Sequence, residues 1–215
     1  MAIDARFKVT EQLDGKMLIN GELRGSSCDQ WLGSRCPATQ ELIGRVPNAS
    51  ADEMTEAVTA AKEASKAWRR TTQKQRVALI EEIAQRLEAR AEEFAKIEAL
   101  DTGNTVGPMT NDVHKAVERM RFYCGLAYEL KGMTVPSTPE NIHLTLREPY
   151  GVVGRIIPFN HPIGFAASRI APALIAGNTI VVKPSEQAPL SASLLAEICA
   201  EVAPPGVINI VTGDR

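Results

Sequence analysis

The chain has 215 residues, 44% of them hydrophobic and 23% charged, a balance typical of soluble globular proteins that can bury a sizeable core. A formal net charge of −2 gives no electrostatic basis for binding nucleic acid or acidic membranes. The first residues, Met1–Lys8, lack the long apolar core of a signal peptide, and polar residues interrupt the most apolar region. We therefore expect a cytoplasmic protein without a membrane span.

The first half of the chain predicts short strands followed by capped helices. Asn20 and Gly21 predict the turn of a β-hairpin, because both residue types accept the positive φ angles of such turns. Ser50 and Thr72 are each followed three residues later by Glu or Gln, which is the capping-box pattern at the start of a helix. Apolar residues at steps of three and four then predict amphipathic helices, the third of them with Gly132 as its C-cap.

Residues 133–147 differ in character from the segments around them. They predict two strands about a Ser-Thr-Pro-Glu-Asn turn, and the alternation at His143 and Thr145 leaves one face polar. From the residues alone, this segment is a solvated edge hairpin.

From Gly151 onwards, short apolar strands alternate with helices, which predicts a parallel sheet with right-handed crossovers. The predicted elements, in the order strand, helix, strand, helix, strand, are Val152–Ile157, Pro162–Ala176, Thr179–Lys183, Pro189–Val202 and Val207–Val211. Since the chain stops where the next covering helix would begin, we expect a truncated protein.

The first of these strands stops at Pro158 and presents an amide side chain, Asn160, before a helix starts at Pro162. A polar group just past the carboxyl end of a strand is well placed for a ligand in an α/β sheet. Two interpretations stay open on the residues alone: Asn160 stabilises a developing negative charge, or it caps the following helix.

The next strand ends in a second polar pair, Lys183 and Glu186, with Pro184 fixing the turn between them. A lysine and a carboxylate at a strand end can hydrogen-bond ribose hydroxyls. They can also form an ordinary surface ion pair, which contributes little to stability. The four cysteines and three histidines have no metal-ligand spacing, so we expect buried or half-buried thiols and no metal site.

Five segments, in this order and at this spacing, resemble the aldehyde dehydrogenase superfamily. They are Glu148–Gly154, Ile157–Pro162, Pro172–Asn178, Val181–Glu186 and Pro204–Gly213, and weaker similarity begins at about Met17. The resemblance implies an α/β fold with amino-terminal helices, a variant Rossmann-like parallel sheet and a protruding β-hairpin for oligomerisation. It divides the chain into an amino-terminal part of the cofactor-binding domain (1–132), the oligomerisation hairpin (133–147) and an incomplete NAD(P)-binding βαβαβ segment (148–215).

The implied activity is NAD(P)-dependent oxidation of an aldehyde to a carboxylic acid through a cysteine thiohemiacetal and a thioester. In the family, a segment downstream of Glu186 supplies the nucleophilic cysteine and a glutamate base. No cysteine here has the glycine neighbours of that nucleophile, so we expect this chain to be inactive alone. The alternative is a non-catalytic fragment that binds dinucleotide or pairs with subunits.

The resemblance also assigns residues to roles. Asn160 becomes the oxyanion donor, and the cofactor-binding residues are Ile156, Ile157, Pro158, Phe159, Lys183, Ser185, Glu186 and Gly213. The substrate tunnel is lined by His161, Gly164, Phe165 and Ser168, which favours a medium-sized aldehyde with an aromatic or polar function. His161 can equally be a partly exposed histidine at a helix start.

The glutamate at 186 favours NAD over NADP, because it disfavours a 2′-phosphate, although family members with this residue also use NADP. The implied partners are a small-molecule aldehyde and, through the hairpin, further copies of the chain in a homodimer or homotetramer.

Overall fold

The computed structural model describes residues 12–214. Residues 1–11, which include the segment Met1–Lys8 discussed above, and residue 215 lie outside the described range. The strands are β1 (Leu13–Asp14), β2 (Met17–Ile19), β3 (Glu22–Arg24), β4 (Trp31–Arg35), β5 (Leu42–Pro47), β6 (Thr134–Thr138), β7 (Asn141–Leu144), β8 (Val152–Ile156), β9 (Thr179–Lys183) and β10 (Ile208–Ile210). The helices are α1 (Ala51–Trp68), α2 (Gln73–Ala89), α3 (Ala91–Thr102), α4 (Val106–Leu126), α5 (Pro162–Ile175) and α6 (Leu190–Val202).

The central sheet has five strands in the order β3-β2-β10-β9-β8. Strands β8, β9 and β10 are parallel and are joined through α5 and α6, as the alternating pattern predicts. Strand β2 pairs antiparallel with β10, so the hairpin β2–β3 extends the sheet beyond the βαβαβ unit. This long-range pairing makes the sheet mixed. A second sheet has the order β1-β5-β4, and β6 pairs with β7.

The predicted turn between β2 and β3 and the two predicted helix N-caps are confirmed. Asn20 and Gly21 adopt φ angles of 53° and 83° between β2 and β3. Ser50 and Thr72 each form a complete capping box at the start of α1 and α2. The prediction of Gly132 as a C-cap is wrong, because α4 ends at Leu126 and a short 3-10 turn follows it.

The sheet is covered on both faces, and the main core lies on the side of α5 and α6. Buried residues of α2, α4, α5 and α6 form one continuous apolar cluster with β9 and β10. On the other face, Ala57 and Ala61 of α1 pack against Met17, Val181 and Val211. Of the helices in residues 12–214, none combines the length and the apolar character needed to cross a bilayer.

A buried arginine joins the ends of two helices to the main core. Arg76 of α2 donates from Nη1 to the backbone oxygen of Ile175 at 3.0 Å, and from Nη2 to the backbone oxygen of Arg69 at 3.0 Å. Carbonyl groups at the carboxyl ends of α5 and α1 are thereby satisfied. A Cβ added at Gly177, where φ is +85°, would lie 2.9 Å from Arg76 Nη1, so this turn requires glycine.

Two buried carboxylates on α3 hold the amino-terminal ends of α5 and α6. Glu98 Oε1 accepts hydrogen bonds from the Ile163 backbone N–H at 2.5 Å and from the Ser191 hydroxyl at 2.7 Å. Asp101 accepts from the Leu190 backbone N–H at 3.0 Å and from the hydroxyl of Ser34. One helix therefore fixes where two others begin, and both of those helices start just after a strand end of the central sheet.

Burial raises the pKa of both carboxyl groups, to about 7 for Glu98 and about 6 for Asp101, although their hydrogen bonds oppose the shift. Glu98 Oε2 is buried without a hydrogen-bond partner among residues 12–214, which suits a protonated carboxyl group.

We expect the contribution of Glu98 to stability to fall as the pH rises through the range in which Glu98 ionises. Because the folded state binds this proton more tightly than the unfolded chain does, this contribution to the free energy of unfolding is greatest below pH 4.5 and is lost as the pH rises through 7. Glu98→Gln keeps a carbonyl acceptor for Ile163 and cannot ionise. Its unfolding free energy relative to wild type should increase by about 3 kcal/mol between pH 4 and pH 8.

Urea unfolding at a series of pH values measures this difference, with the exposed Glu140→Gln as the matched control. A parallel pH dependence of wild type and Glu98→Gln would contradict the assignment.

Candidate functional site

The carboxyl ends of β8 and β9 lie side by side at one edge of the central sheet. Ile156, the last residue of β8, is directly opposite Lys183, the last residue of β9. Strand β10 lies on the other side of β9, and the chain continues from it to Gly213. Three predicted cofactor residues, Ile156, Lys183 and Gly213, therefore lie at or just after the carboxyl ends of adjacent strands. This edge is where α/β sheets bind ligands.

A cavity of about 570 Å³, here named the α1 cavity, lies between α1 and these strand ends. Its walls include four apolar and four charged residues, namely Met54, Val58, Ile156 and Val181, and Arg155, Lys183, Glu186 and Asp214. A smaller cavity of about 230 Å³ adjoins it and shares Met54 and Lys183, with Thr212 and Gly213 on its far side. The predicted residues Ile156, Lys183, Glu186 and Gly213 thus meet around one continuous depression.

The lysine and the glutamate of this depression face each other. Lys183 Nζ lies 3.5 Å from Glu186 Oε2, and both side chains are largely shielded, with exposed fractions of 19% and 31%. An ion pair on an open helix surface has both side chains well exposed, as Lys96 and Glu92 of α3 do at 47% and 81%. The Lys183–Glu186 pair is instead recessed into the wall of a cavity.

The remaining predicted cofactor residues differ in what they can offer. Pro158 and Phe159 are exposed beyond β8, while Ser185 accepts a hydrogen bond from the Gln187 backbone N–H at 3.2 Å. The side chain of Ile157 is buried in the main core, and its backbone N–H donates to the Lys183 backbone oxygen at 3.1 Å. The side chain of Ile157 therefore packs inwards, and a contact of Ile157 with the cofactor remains a prediction.

Asn160 is exposed on the loop between β8 and α5, and its side-chain amide has no hydrogen-bond partner among residues 12–214. Only its backbone oxygen is contacted, by Asn104 Nδ2 at 3.5 Å. The N-cap of α5 is His161, and no side chain caps this helix. The structure thus gives no support to the helix-cap interpretation. Glu98 holds the helix start three residues further on, which leaves the Asn160 amide available.

A second cavity, of about 300 Å³, lies between α4 and α5 and is here named the α4–α5 cavity. Three predicted substrate residues, His161, Gly164 and Phe165, line it. His161 Nδ1 lies 2.5 Å from Asp112 Oδ2, and the rings of His161 and Phe165 meet edge to face at 6.2 Å. His161 is partly exposed at the start of α5 and also lines this cavity, so both interpretations of His161 remain open.

The prediction that Ser168 lines the same wall is wrong for this structure. Ser168 is fully buried, and its hydroxyl donates to the Gly164 backbone oxygen. The wall continues instead to Arg169, one residue further along α5. Residues missed by the sequence analysis complete the cavity, namely Asp112, Lys115, Arg119 and Arg169. Three of them are spaced as one face of α4, but only the packing of α4 on α5 reveals which face meets the site.

The four cysteines lie away from both cavities. Cys36, Cys124 and Cys199 are buried and Cys28 is exposed, and none of them lines the α1 or the α4–α5 cavity. Burial raises the pKa of the Cys124 and Cys199 thiols to about 12, which disfavours the reactive thiolate.

Comparisons with known proteins agree with this geometry. Residues 24–215 match the model of the aldehyde dehydrogenase family. The aldehyde dehydrogenase tropH of Talaromyces stipitatus is 40% identical over 180 residues, which cover 82% of this chain and 35% of tropH. The crystal structure of an NAD-dependent aldehyde dehydrogenase from Sinorhizobium meliloti superposes with a TM-score of 0.92 at 33% identity, covering 98% of this chain and 42% of that one.

An NADP-dependent glyceraldehyde-3-phosphate dehydrogenase from Bacillus halodurans, solved with NADP, superposes with a TM-score of 0.90 at 33% identity, and the match covers 94% of this chain and 44% of that one. The chain therefore spans less than half the length of the proteins it matches. The family match extends over most of its residues and includes the strand ends and both cavities. The chain belongs to the aldehyde dehydrogenase family.

Proposed function

We propose that this chain is the dinucleotide-binding part of an NAD(P)-dependent aldehyde dehydrogenase that oxidises an aldehyde to a carboxylic acid. One observation carries the proposal. The unpartnered amide of Asn160 and the recessed Lys183–Glu186 pair follow the carboxyl ends of two hydrogen-bonded parallel strands. A group that polarises a carbonyl oxygen and a pair that recognises a ribose are thus brought to the same sheet edge.

The α1 cavity has the chemistry that an adenosine moiety requires. The apolar side chains of Met54, Val58 and Ile156 offer a surface for a flat base, while Lys183 and Glu186 supply a donor and an acceptor for ribose hydroxyls. Its volume of about 570 Å³ is within the range of small-molecule sites. When bound, the nicotinamide cofactor accepts the hydride that leaves the substrate.

Asn160 acts on the oxygen of the aldehyde. Attack of a thiolate on the carbonyl carbon places negative charge on that oxygen, and the Asn160 Nδ2–H₂ group donates a hydrogen bond to it. Two features hold the amide in place without consuming its hydrogen bonds. Pro158 and Pro162 restrict the backbone on either side, and Glu98 fixes the first turn of α5. The nucleophilic thiolate comes from outside residues 12–214, since the cysteines in that range lie away from the cavity.

Glu186 favours NAD over NADP in this proposal. Its carboxylate lies on the wall that would receive the 2′-hydroxyl, where a 2′-phosphate meets negative charge. Lys183, 3.5 Å away, offsets part of this repulsion, so NADP remains a usable cofactor.

We expect Lys183→Met to raise the Kd for NAD of the 215-residue chain about tenfold, because it removes a charged hydrogen-bond donor. Glu186→Gln should narrow the preference for NAD over NADP, since it removes the charge that repels the 2′-phosphate. Isothermal titration with both dinucleotides measures both effects. Lys96→Met and Glu92→Gln alter an exposed pair on α3 and serve as matched controls. An unchanged NAD-to-NADP affinity ratio in Glu186→Gln would place this carboxylate away from the ribose.

We expect Asn160→Ala to lower kcat for aldehyde oxidation about 100- to 1000-fold in the full-length protein that carries this chain, because one oxyanion donor is lost. The Kd for NAD should stay at the wild-type value, since Asn160 lies outside the α1 cavity. Stopped-flow measurement of NADH formation and parallel titration separate the two effects, with the exposed Asn111→Ala as the control. A wild-type kcat in Asn160→Ala would remove Asn160 from the mechanism.

We also propose that the β6–β7 hairpin pairs with another copy of the chain in a dimer or tetramer. Every residue of both strands is exposed, and Ile142, Leu144 and Leu146 project from one face with exposed fractions of 77%, 63% and 79%. Such a contiguous apolar face on a protruding element is typical of an interaction surface. By strand alternation, the opposite face carries Asn141, His143 and Thr145, so the two faces of this segment differ in polarity.

Replacing both Ile142 and Leu144 by Glu should dissociate the native oligomer, because the charges would be buried without partners at the interface. The double variant Asn141→Glu, His143→Glu adds the same charge to the other face of β7 and should leave the oligomer intact. Multi-angle light scattering of the full-length proteins gives the result. Deletion of residues 133–147 is the stronger perturbation, and an oligomer that survives it would rule out this interface.

The absence of a cysteine from both cavities favours one alternative, in which the chain binds dinucleotide without chemistry of its own. The two proposals differ in a direct assay. NAD binding without aldehyde oxidation by the 215-residue chain, together with oxidation by the full-length protein, supports the enzyme. Oxidation by the chain alone that depends on one of its own cysteines would contradict both.

A further inference from the structure

The α4–α5 cavity has an excess of positive charge. Lys115, Arg119 and Arg169 line it together with a single carboxylate, Asp112, which leaves a formal excess of two positive charges among its described lining residues. Asp112 is already hydrogen-bonded to His161 at 2.5 Å. The chain as a whole carries a net charge of −2, so the positive charge of this cavity is local and does not reflect a generally basic protein.

The three cations also have no carboxylate partner among residues 12–214, whereas many other basic residues of the chain do. Arg121, only two residues from Arg119 on α4, lies 2.7 Å from Glu88, and Arg90 of the neighbouring α2–α3 turn contacts Glu93 and Glu197. Arg169 touches only the Tyr123 hydroxyl, at 3.5 Å, and its Nε is buried without a partner. Buried guanidinium donors without acceptors are costly, so this side chain has unused capacity to bind an anion.

We infer that the α4–α5 cavity binds the anionic end of the substrate, an aldehyde that carries a carboxylate or phosphate group on a short spacer. The inference rests on the proposed oxidation at Asn160 and names the substrate class of that site. His161 follows Asn160 in the chain, and Arg169 lies about two helical turns further along α5, so the cavity extends from the residue beside the proposed oxyanion donor to the cations. With a volume of about 300 Å³, it is at the small end of ligand sites, which suits a spacer of a few carbon atoms.

Gly164 contributes the space that this arrangement needs. It lies on α5 immediately before Phe165, which completes the wall, and a Cβ there would lie 3.7 Å from His161 Cβ and 3.9 Å from Asp112 Cβ. A larger side chain would project towards the gap between the two helices. The sequence predicts a medium-sized aldehyde with an aromatic or polar function. The present inference specifies that function as a negatively charged group.

The test compares charged and neutral aldehydes of similar length in the full-length protein. The carboxylate arm uses 4-oxobutanoate against pentanal, and the phosphate arm uses glyceraldehyde 3-phosphate against glyceraldehyde. Lys115→Met and Arg119→Met should each lower kcat/KM for the charged aldehyde about 10- to 100-fold and change the value for its neutral partner less than twofold. Arg121→Met removes the same charge from α4 at a position that pairs with Glu88 of α2 and does not line the cavity, and it is the matched control. The arm with the larger ratio identifies the anion.

The outcomes separate this inference from the proposed function. If neither aldehyde is oxidised by wild type, the proposed function fails. The inference then depends on titrating the 215-residue chain with glutarate and inorganic phosphate, where weaker binding by Arg119→Met supports an anion site and equal binding overturns it. If both aldehydes are oxidised and the charged-to-neutral ratio is unchanged in Lys115→Met and Arg119→Met, the inference is overturned while the function stands. Equal losses for both substrates together with a lower Tm would show that the cations pair with another part of the protein, which also overturns it.

Discussion

The arrangement of this chain depends on α3, whose two buried carboxyl groups decide where α5 and α6 begin. Glu98 and Asp101 take up the orphan backbone N–H groups at those helix starts, which short loops after β8 and β9 would otherwise leave unsatisfied inside the protein. Ionised carboxylates in this position would be strongly disfavoured by burial, and the raised pKa values express that cost. Asn160 lies just before the start of α5, and Lys183 lies just before the loop that leads to α6. The two buried carboxyl groups of α3 therefore position the candidate site.

Function in this fold is concentrated where the backbone changes from strand to helix. Each crossover brings one polar group to the carboxyl edge of the sheet, and the parallel register places Ile156 beside Lys183. The two cavities differ in the composition of their walls. The surface of the α1 cavity is mostly apolar, with the recessed Lys183–Glu186 pair and two further charged residues, Arg155 and Asp214, on its walls, which suits a nucleotide. The α4–α5 cavity is instead lined by three basic residues that have no carboxylate partner among residues 12–214. Asn160 lies on the loop between β8 and α5, next in the chain to His161 of the α4–α5 cavity.

The electrostatics of the chain differ between its surface and its cavities. Along α2, α3 and α4, basic residues are matched to nearby carboxylates, as in the pairs Arg86–Glu82 and Lys96–Glu92. Exposed pairs of this kind contribute little to stability but keep the surface free of large single-sign patches. The α4–α5 cavity departs from this pattern, and an uncompensated local charge is a stronger indicator of a ligand than the net charge of the whole chain.

The sequence by itself determined the local features of this protein, because these depend on residues close together in the chain. The Asn20–Gly21 turn, the capping boxes at Ser50 and Thr72 and the alternation of strands and helices after Gly151 are all of this kind. The motif order also indicated the family and the strand ends that carry Asn160, Lys183 and Glu186.

Only the tertiary structure decided which surfaces meet. The pairing of β2 with β10, the inward packing of Ile157 and Ser168, and the choice of the α4 face that carries Lys115 and Arg119 all arise from contacts between distant segments. From helical periodicity alone, Ser168 and Arg169 are similarly good candidates for the cavity wall. The packing of α5 against its neighbours buries Ser168 and leaves Arg169 to line the cavity. This difference depends on the position of α5 relative to the other helices, which the spacing of residues along the chain does not specify.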